Sequence, residues 1–198
     1  MIFRPGVPRG LYVVAQGNSI TANTAQAPTT GPWWPEYMRA ILGTTVAGVR
    51  NSGHGGYNTQ QLILLAPEFD LHIATVHAVL VFFWEGGNDI LGTNGYTGVT
   101  GRQALDNVKS AAAIYRNKGC KVVIPNLWHR ADLTAEQNGY VDDFNTLLDA
   151  EWQTFCDGIV DHRTGIELRS DGVHPTDAGQ QVLGARHAAV VQRFLAQM

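Results

Sequence analysis

The sequence predicts an α/β protein: a three-layer α/β/α sandwich in which a parallel sheet lies between two layers of helices. Three observations lead there. Short apolar, β-branched runs alternate with segments of helical periodicity in the order βαβαβαβαβα, and parallel neighbours need the crossovers that such helices supply. One run, Ala78–Trp84, is continuously apolar, as a central strand covered on both faces must be. The 198 residues, 44% of them hydrophobic, carry enough bulk for a sizeable core and suit one domain spanning 1–198.

The elements follow in order. Met1–Gly10 is an irregular lead-in, and Leu11–Ala15 is the first strand. Gly17 permits a sharp exit through backbone conformations closed to other residues. Thr21–Pro32 is polar and proline-containing, hence a loop, and Trp33–Leu42 is a helix with Pro35 in its first turn and Gly43 as its stop. Val46–Arg50 is a short strand, Asn51–Asn58 a glycine-rich loop, and Thr59–Ala66 a helix ended by Pro67. Val76–Trp84 is the third strand and Glu85–Gly98 a loop. Thr100 with Gln103, and Thr134 with Gln137, have capping-box spacing and open two helices. The first buries Ala104, Leu105, Val108, Ala111, Ala112 and Tyr115; the second buries Val141, Phe144, Leu148, Trp152 and Phe155. Cys120–Pro125 lies between them as the fourth strand. Gly158–Asp161 is a short edge strand, and a last helix from about Thr176 buries Val182, Leu183, Val190 and Phe194. There is no internal repeat, low-complexity tract or linker.

Composition narrows the function. The net charge is −3 with no Lys/Arg run, which argues against nucleic acid as the partner. No apolar stretch reaches the length of a membrane span, and the first ten residues lack the apolar centre of a secretory signal, so the expectation is the cytoplasm by default, or an exit route that uses no cleaved signal. Cys120 and Cys156 sit at a strand start and a helix end and read as small core residues, with no disulfide framework or cysteine zinc site. The scattered histidines, with no His-x-x-x-His, imply neither a metal nor another cofactor, and Gly53–Thr59 lacks the Gly-Lys-[Ser/Thr] of a phosphate loop.

The unusual loops all follow strands. They are Gly17-Asn18-Ser19, Asn51-Ser52-Gly53-His54-Gly55-Gly56, Gly86-Gly87-Asn88-Asp89 and, before the last helix, Asp171-Gly172-Val173-His174-Pro175. In a parallel sheet such loops share the carboxyl edge, where α/β sheets bind ligands. Together they hold the parts of a nucleophilic hydrolase. Ser19 is the candidate nucleophile, and a serine hydroxyl needs a base within reach. His174 is that base, since imidazole titrates near neutral pH. Asp171, three residues earlier, can accept the proton on the other ring nitrogen and stabilise the imidazolium. The N–H groups of Ser19 and Gly56 and the Asn88 side-chain amide are candidate donors to a developing oxyanion.

Gly17-Asn18-Ser19-Ile20, Asn51-x-Gly53-x-x-Gly56-x-x-Thr59, Gly86-Gly87-Asn88-Asp89 and Asp171-x-x-His174-Pro175 resemble, in order, the four blocks of the SGNH (GDSL-type) hydrolase superfamily. The resemblance implies a flavodoxin-like five-stranded parallel sheet of order 2-1-3-4-5. It also implies metal-free ester hydrolysis through an acyl-enzyme, with Ser19, His174 and Asp171 as triad and Ser19, Gly56 and Asn88 as oxyanion hole. The first block departs from the family, which carries Asp where this chain has Asn18. The absence of a lid insertion and the analogy favour short acyl groups, such as acetyl on a carbohydrate, as substrate. A thioesterase or lysophospholipase, or a non-catalytic carbohydrate- or partner-binding module on the same scaffold, are the alternatives. His54, Trp128 and His129 are candidate substrate contacts; Trp33 and Trp34 could line the site or pack in the core. Asp89 reads as a loop-organising carboxylate, and Glu85 as a buried or rim acid. His72, His77, His162 and His187 read as structural or solvated.

Overall fold

In the computed structural model, residues 10–22, 32–69 and 78–198 are described. His72, His77, most of the amino-terminal lead-in and much of the predicted loop before Trp33 lie outside the described residues.

Five strands form one parallel sheet: β1 (Leu11–Gly17), β2 (Gly48–Gly53), β3 (Ala78–Trp84), β4 (Lys121–Pro125) and β5 (Gly158–Val160), in the order β2-β1-β3-β4-β5. The helices are α1 (Trp34–Leu42), α2 (Thr59–Ile63), α3 (Gly87–Leu91), α4 (Gly101–Asn117), α5 (Ala135–Glu151) and α6 (Asp177–Leu195). Helix α1 packs on α6 on one side of the sheet, while α2 and α5 pack on α4 on the other. Val79–Trp84 of β3 is buried throughout, as its unbroken apolar run requires. Among the described residues, no helix is long and apolar enough to cross a membrane.

Local chemistry accounts for the helix starts. Thr100 and Thr134 each accept from the third residue of the helix, and Gln103 and Gln137 reach back to the N-cap amide. Every predicted core residue of α4 is buried. In α5 the regular helix stops at Glu151, and Trp152 continues into a short 3-10 turn where it is only half-buried. Cys120 and Cys156 are buried and free, and burial pushes the Cys156 thiol up to about 12.

Some strand ends shift by one or two residues from the sequence reading, at Gly17, Lys121 and Val160, and three differences are larger. β2 covers Gly48–Gly53 rather than Val46–Arg50, because pairing with β1 from Tyr12↔Gly48 to Gly17↔Gly53 sets its limits, not its apolar residues. Helix α2 ends at Ile63, and Pro67 lies in a separate 3-10 turn, Ala66–Phe69; proline disfavours helix at the residue before it and clashes with the carbonyl four residues back. The predicted loop after β3 contains α3, a single turn whose glycines and asparagine hide it from any propensity argument.

Under α1 and α6, Trp34 stacks on the His187 ring at 3.8 Å, and Phe82 meets both edge-on at 6.0 and 4.6 Å. Phe82→Ala, which empties the centre of this cluster, is expected to cost about 3–5 kcal/mol. Leu64→Ala, at a side chain 75% exposed, is expected to stay within about 0.5 kcal/mol of wild type. Urea unfolding of the two variants beside wild type measures both.

Candidate active site

The strand order reverses beside β1, so the carboxyl ends of β1 and β3 flank the crevice expected to bind ligands. Gly17 pairs with Trp84 there, which sets the loop carrying Ser19 against the loop carrying Asn88. Gly17 does not adopt a left-handed conformation, contrary to the sequence reading; a Cβ would stand 2.5 Å from Thr21 Oγ1 and 2.7 Å from the Trp84 carbonyl oxygen. Space, not φ, demands glycine here. Asn18 is buried, and its Oδ1 accepts the Ile20 N–H at 2.9 Å while its carbonyl accepts from Thr21 and Ala22. An amide oxygen thus serves the nucleophile turn where the resembled family carries a carboxylate.

Ser19, His174 and Asp171 come together. Ser19 Oγ lies 2.8 Å from His174 Nε2, and His174 Nδ1 lies 2.8 Å from Asp171 Oδ2. A carboxylate only accepts, so Nδ1 carries the proton and donates to Asp171, leaving Nε2 to accept the Ser19 hydroxyl hydrogen. Asp171 Oδ1 accepts the backbone N–H groups of Val173 and His174, both at 2.9 Å. Partial burial alone would raise this carboxyl, but those two amides and the His174 ring outweigh it and hold it at about 2. Asp171 therefore stays ionised at neutral pH.

The predicted oxyanion donors line the same cleft, of about 350 Å³, with Ser19 and His174. Gly56 sits at φ +79°, its carbonyl held by Thr93 Oγ1 and Asn94 Nδ2. Asn88, 3% exposed, donates from Nδ2 to the Tyr57 carbonyl at 2.8 Å and accepts at Oδ1 from Arg130 Nη1 at 2.9 Å. Its backbone N–H and that of Gly86 donate to Glu85 Oε1, at 2.8 and 2.9 Å. Glu85 is buried; burial, then the nearby charge of Asp89, raises its carboxyl to about 8. Asp89 organises the loop as the sequence suggested: Oδ2 accepts from the Thr59 amide and hydroxyl, and Oδ1 from Asn107 Nδ2. Its carboxyl is raised by burial against those hydrogen bonds.

Other predicted residues fall elsewhere. His54 is not part of the Ser19 cleft; its ring stacks on Tyr57 at 5.1 Å and Nδ1 meets the Ser52 carbonyl at 3.1 Å. Trp128 and His129 line a neighbouring cavity of about 430 Å³, beside Asp142, Arg163 and Thr164, and His129 Nε2 lies 2.8 Å from Asp142. Trp128 packs edge-on against Trp84, which keeps its ring in the core. Trp33 lines the Ser19 cleft, whereas Trp34 is core. His162 and His187 are fully buried, and burial lowers both, His187 to about 3. Among the described residues, no group of three or more His, Cys, Asp or Glu side chains could hold a metal ion. Arg130 and Asp132 also line the cleft, and the sequence reading passed over both. An arginine two residues before an aspartate in a strand-end loop was the available signal.

The model of the GDSL-like lipase/acylhydrolase family matches residues 15–182. No curated protein matches the chain. Among solved structures, a member of the lipolytic protein G-D-S-L family from Veillonella parvula superposes with a TM-score of 0.74 at 20% identity, covering 93% of this chain and 100% of that one. A carbohydrate acetylesterase from Sinorhizobium meliloti gives 0.73 at 15% identity, covering 94% and 100%. A catalytic mutant of an acetylxylan esterase from Geobacillus stearothermophilus gives 0.69 at 16%, covering 91% and 94%. At these identities the likeness is one of fold.

The Glu85 carboxyl yields a stability prediction. Native Glu85 keeps a proton that the unfolded chain releases above pH 4.5, so its contribution is complete below that pH and is lost as pH rises through about 8. Thermal midpoints at about pH 5 and about pH 8.5 should therefore lie closer together in Glu85→Gln than in wild type.

Proposed function

The chain belongs to the GDSL-like lipase/acylhydrolase family, and from that membership we propose that it is a serine esterase acting on carboxylic esters with short acyl groups. One observation carries the reading: the unbroken hydrogen-bond chain from Ser19 through His174 to Asp171 at the wall of a cleft that Asn88 and Gly56 also line.

In the proposed reaction, Ser19 Oγ attacks the ester carbonyl carbon as its proton passes to His174 Nε2. Asp171, ionised, stabilises the imidazolium and keeps the ring in one orientation. Negative charge gathers on the former carbonyl oxygen, where the Ser19 and Gly56 N–H groups and Asn88 Nδ2 stabilise it without reorganisation. The tetrahedral intermediate collapses, the leaving alkoxide takes the proton from His174, and an acyl-Ser19 ester remains. Water, deprotonated by the same imidazole, then releases the acid and restores the serine. No step calls for a metal or cofactor.

The preference for a short acyl group rests on the cleft of about 350 Å³, walled by Trp33, Leu91 and Val173. Two structural neighbours described as carbohydrate acetylesterase and acetylxylan esterase favour acetyl on a carbohydrate as the substrate.

Wild type should hydrolyse p-nitrophenyl acetate faster than the longer-chain esters, and Ser19→Ala should abolish that activity. Equal rates in the two proteins would instead support a binding module. A fluorophosphonate probe should label wild type at Ser19, located by mass spectrometry, and leave Ser19→Ala unlabelled. Asp171→Asn should lower kcat by about 10⁴-fold by losing the tautomer that the carboxylate enforces. Asn88→Ala should lower it by about 10²- to 10³-fold through loss of one oxyanion donor. Steady-state kinetics on the acetyl ester reads both.

A further inference from the structure

We propose that Arg130 is a positioning residue for the oxyanion hole, locking the Asn88 carboxamide in the one orientation that leaves an Nδ2 hydrogen for the cleft. The inference rests on the esterase reading above and deepens it.

A carboxamide has two flips of nearly the same shape but opposite chemistry. Only one can donate to an oxyanion; the other would set an oxygen against it. Asn88 is held at both ends by groups that cannot exchange roles. Arg130 Nη1, 2.9 Å from Oδ1, is a donor with no lone pair to offer, and the Tyr57 carbonyl, 2.8 Å from Nδ2, only accepts. A flip would place N–H against N–H and oxygen against oxygen in a buried site, where an unpaired polar group is costly. One Nδ2 hydrogen is used by Tyr57, and the second remains for substrate.

Arg130 is itself fixed. It is 7% exposed, and its Nε and Nη2 grip the two Asp132 oxygens at 2.9 and 2.6 Å. Asn138 accepts the Arg130 backbone N–H and donates to its carbonyl, at 3.0 and 3.1 Å. Ala131 N–H donates to the Gly172 carbonyl, inside the loop that carries Asp171 and His174. Room for the guanidinium comes from Gly87, where a Cβ would stand 2.8 Å from Arg130 Nη1. Because Asp132 takes a bidentate pair and balances the positive charge, Arg130 supplies direction rather than field. A planar fork can hold a carboxylate and an amide oxygen together; a lysine ammonium cannot reproduce that geometry.

The test is a double-mutant cycle on p-nitrophenyl acetate, with Arg130→Met and Arg130→Lys each made in wild type and in Asn88→Ala, and thermal midpoints recorded for all. In the wild-type background both changes should lower kcat by about 10- to 100-fold, the scale expected of a misplaced donor. KM should move less than about 3-fold, and the same changes should cost less than about 3-fold once Asn88 is gone, since the partner is then absent. Equal losses in both backgrounds, or a change confined to KM, would overturn the proposal. A readout without substrate is the side-chain ¹⁵N–¹H₂ pair of Asn88. It should give two sharp resonances in wild type and broaden or shift in Arg130→Lys; an unchanged pair would also overturn the proposal. Failure of wild type to hydrolyse the ester, or activity retained in Ser19→Ala, would defeat the esterase reading instead, and the amide resonances would still decide the clamp.

Discussion

The parallel pairing of β1 with β3 is the constraint on which the rest of the structure depends. It places Gly17 opposite Trp84, so the chain leaves the sheet twice at adjacent points, once toward Ser19 and once toward Asn88. The close approach of Thr21 and the Trp84 carbonyl to Gly17 leaves the nucleophile turn little freedom. β2 enters from the other side, and the His54 N–H donates to the Gly17 carbonyl at 2.8 Å, tying the turn that carries Gly56 to the first loop. Each of these loops is irregular by itself. Sheet register, set by the buried apolar residues of two strands, gives them common coordinates.

Around that junction the chain buries an uncommon amount of polar chemistry. Glu85, Asn88, Asp89, Thr59 and Arg130 are all buried, and the hydrogen bonds that join them to one another and to Asn107 and Asp132 link four segments, near residues 59, 85–89, 107 and 130–132. Burial of carboxyls is unfavourable unless they are hydrogen-bonded or neutral, and both solutions are used. Asp89 is satisfied by Thr59 and Asn107; Glu85 is raised to about 8 and organises two backbone amides. A short helix with two glycines near its start is thus tied at its first amides by Glu85 and through Asp89 to Thr59 and Asn107.

Much of this was legible in the sequence, and the parts that were not share a cause. The capping boxes at Thr100 and Thr134, the apolar stripe of α4 and the buried run of β3 are local patterns, and local patterns survive in one dimension. The approach of Ser19, His174 and Asp171 followed from topology, because strand-end loops of a parallel sheet share an edge. The limits of β2 depended on a neighbour in space, and α3 on a buried glutamate that no propensity scale anticipates. Trp128 and His129 follow a strand as the other site loops do, yet neither lines the Ser19 cleft: both border a different cavity, and Trp128 also packs behind the nucleophile turn beside Asn18, Ile20 and Arg130, while Arg130 and Asp132 reach the cleft. The Arg130-x-Asp132 spacing was visible, but its meaning was not: that lies in the hydrogen-bonding polarity of Asn88, far away in the chain.

The hydrogen bond from Ala131 to Gly172 has a consequence for how such a chain tolerates recombination. It stitches a segment near residue 130 to one near residue 172, and at the seam a Cβ on Gly172 would stand 2.5 Å from Ala131 Cβ, so the residues on the two sides must be matched in size. A chimera with its crossover between them would join halves that were never fitted to each other, whereas one that exchanges both segments as a block keeps the seam intact.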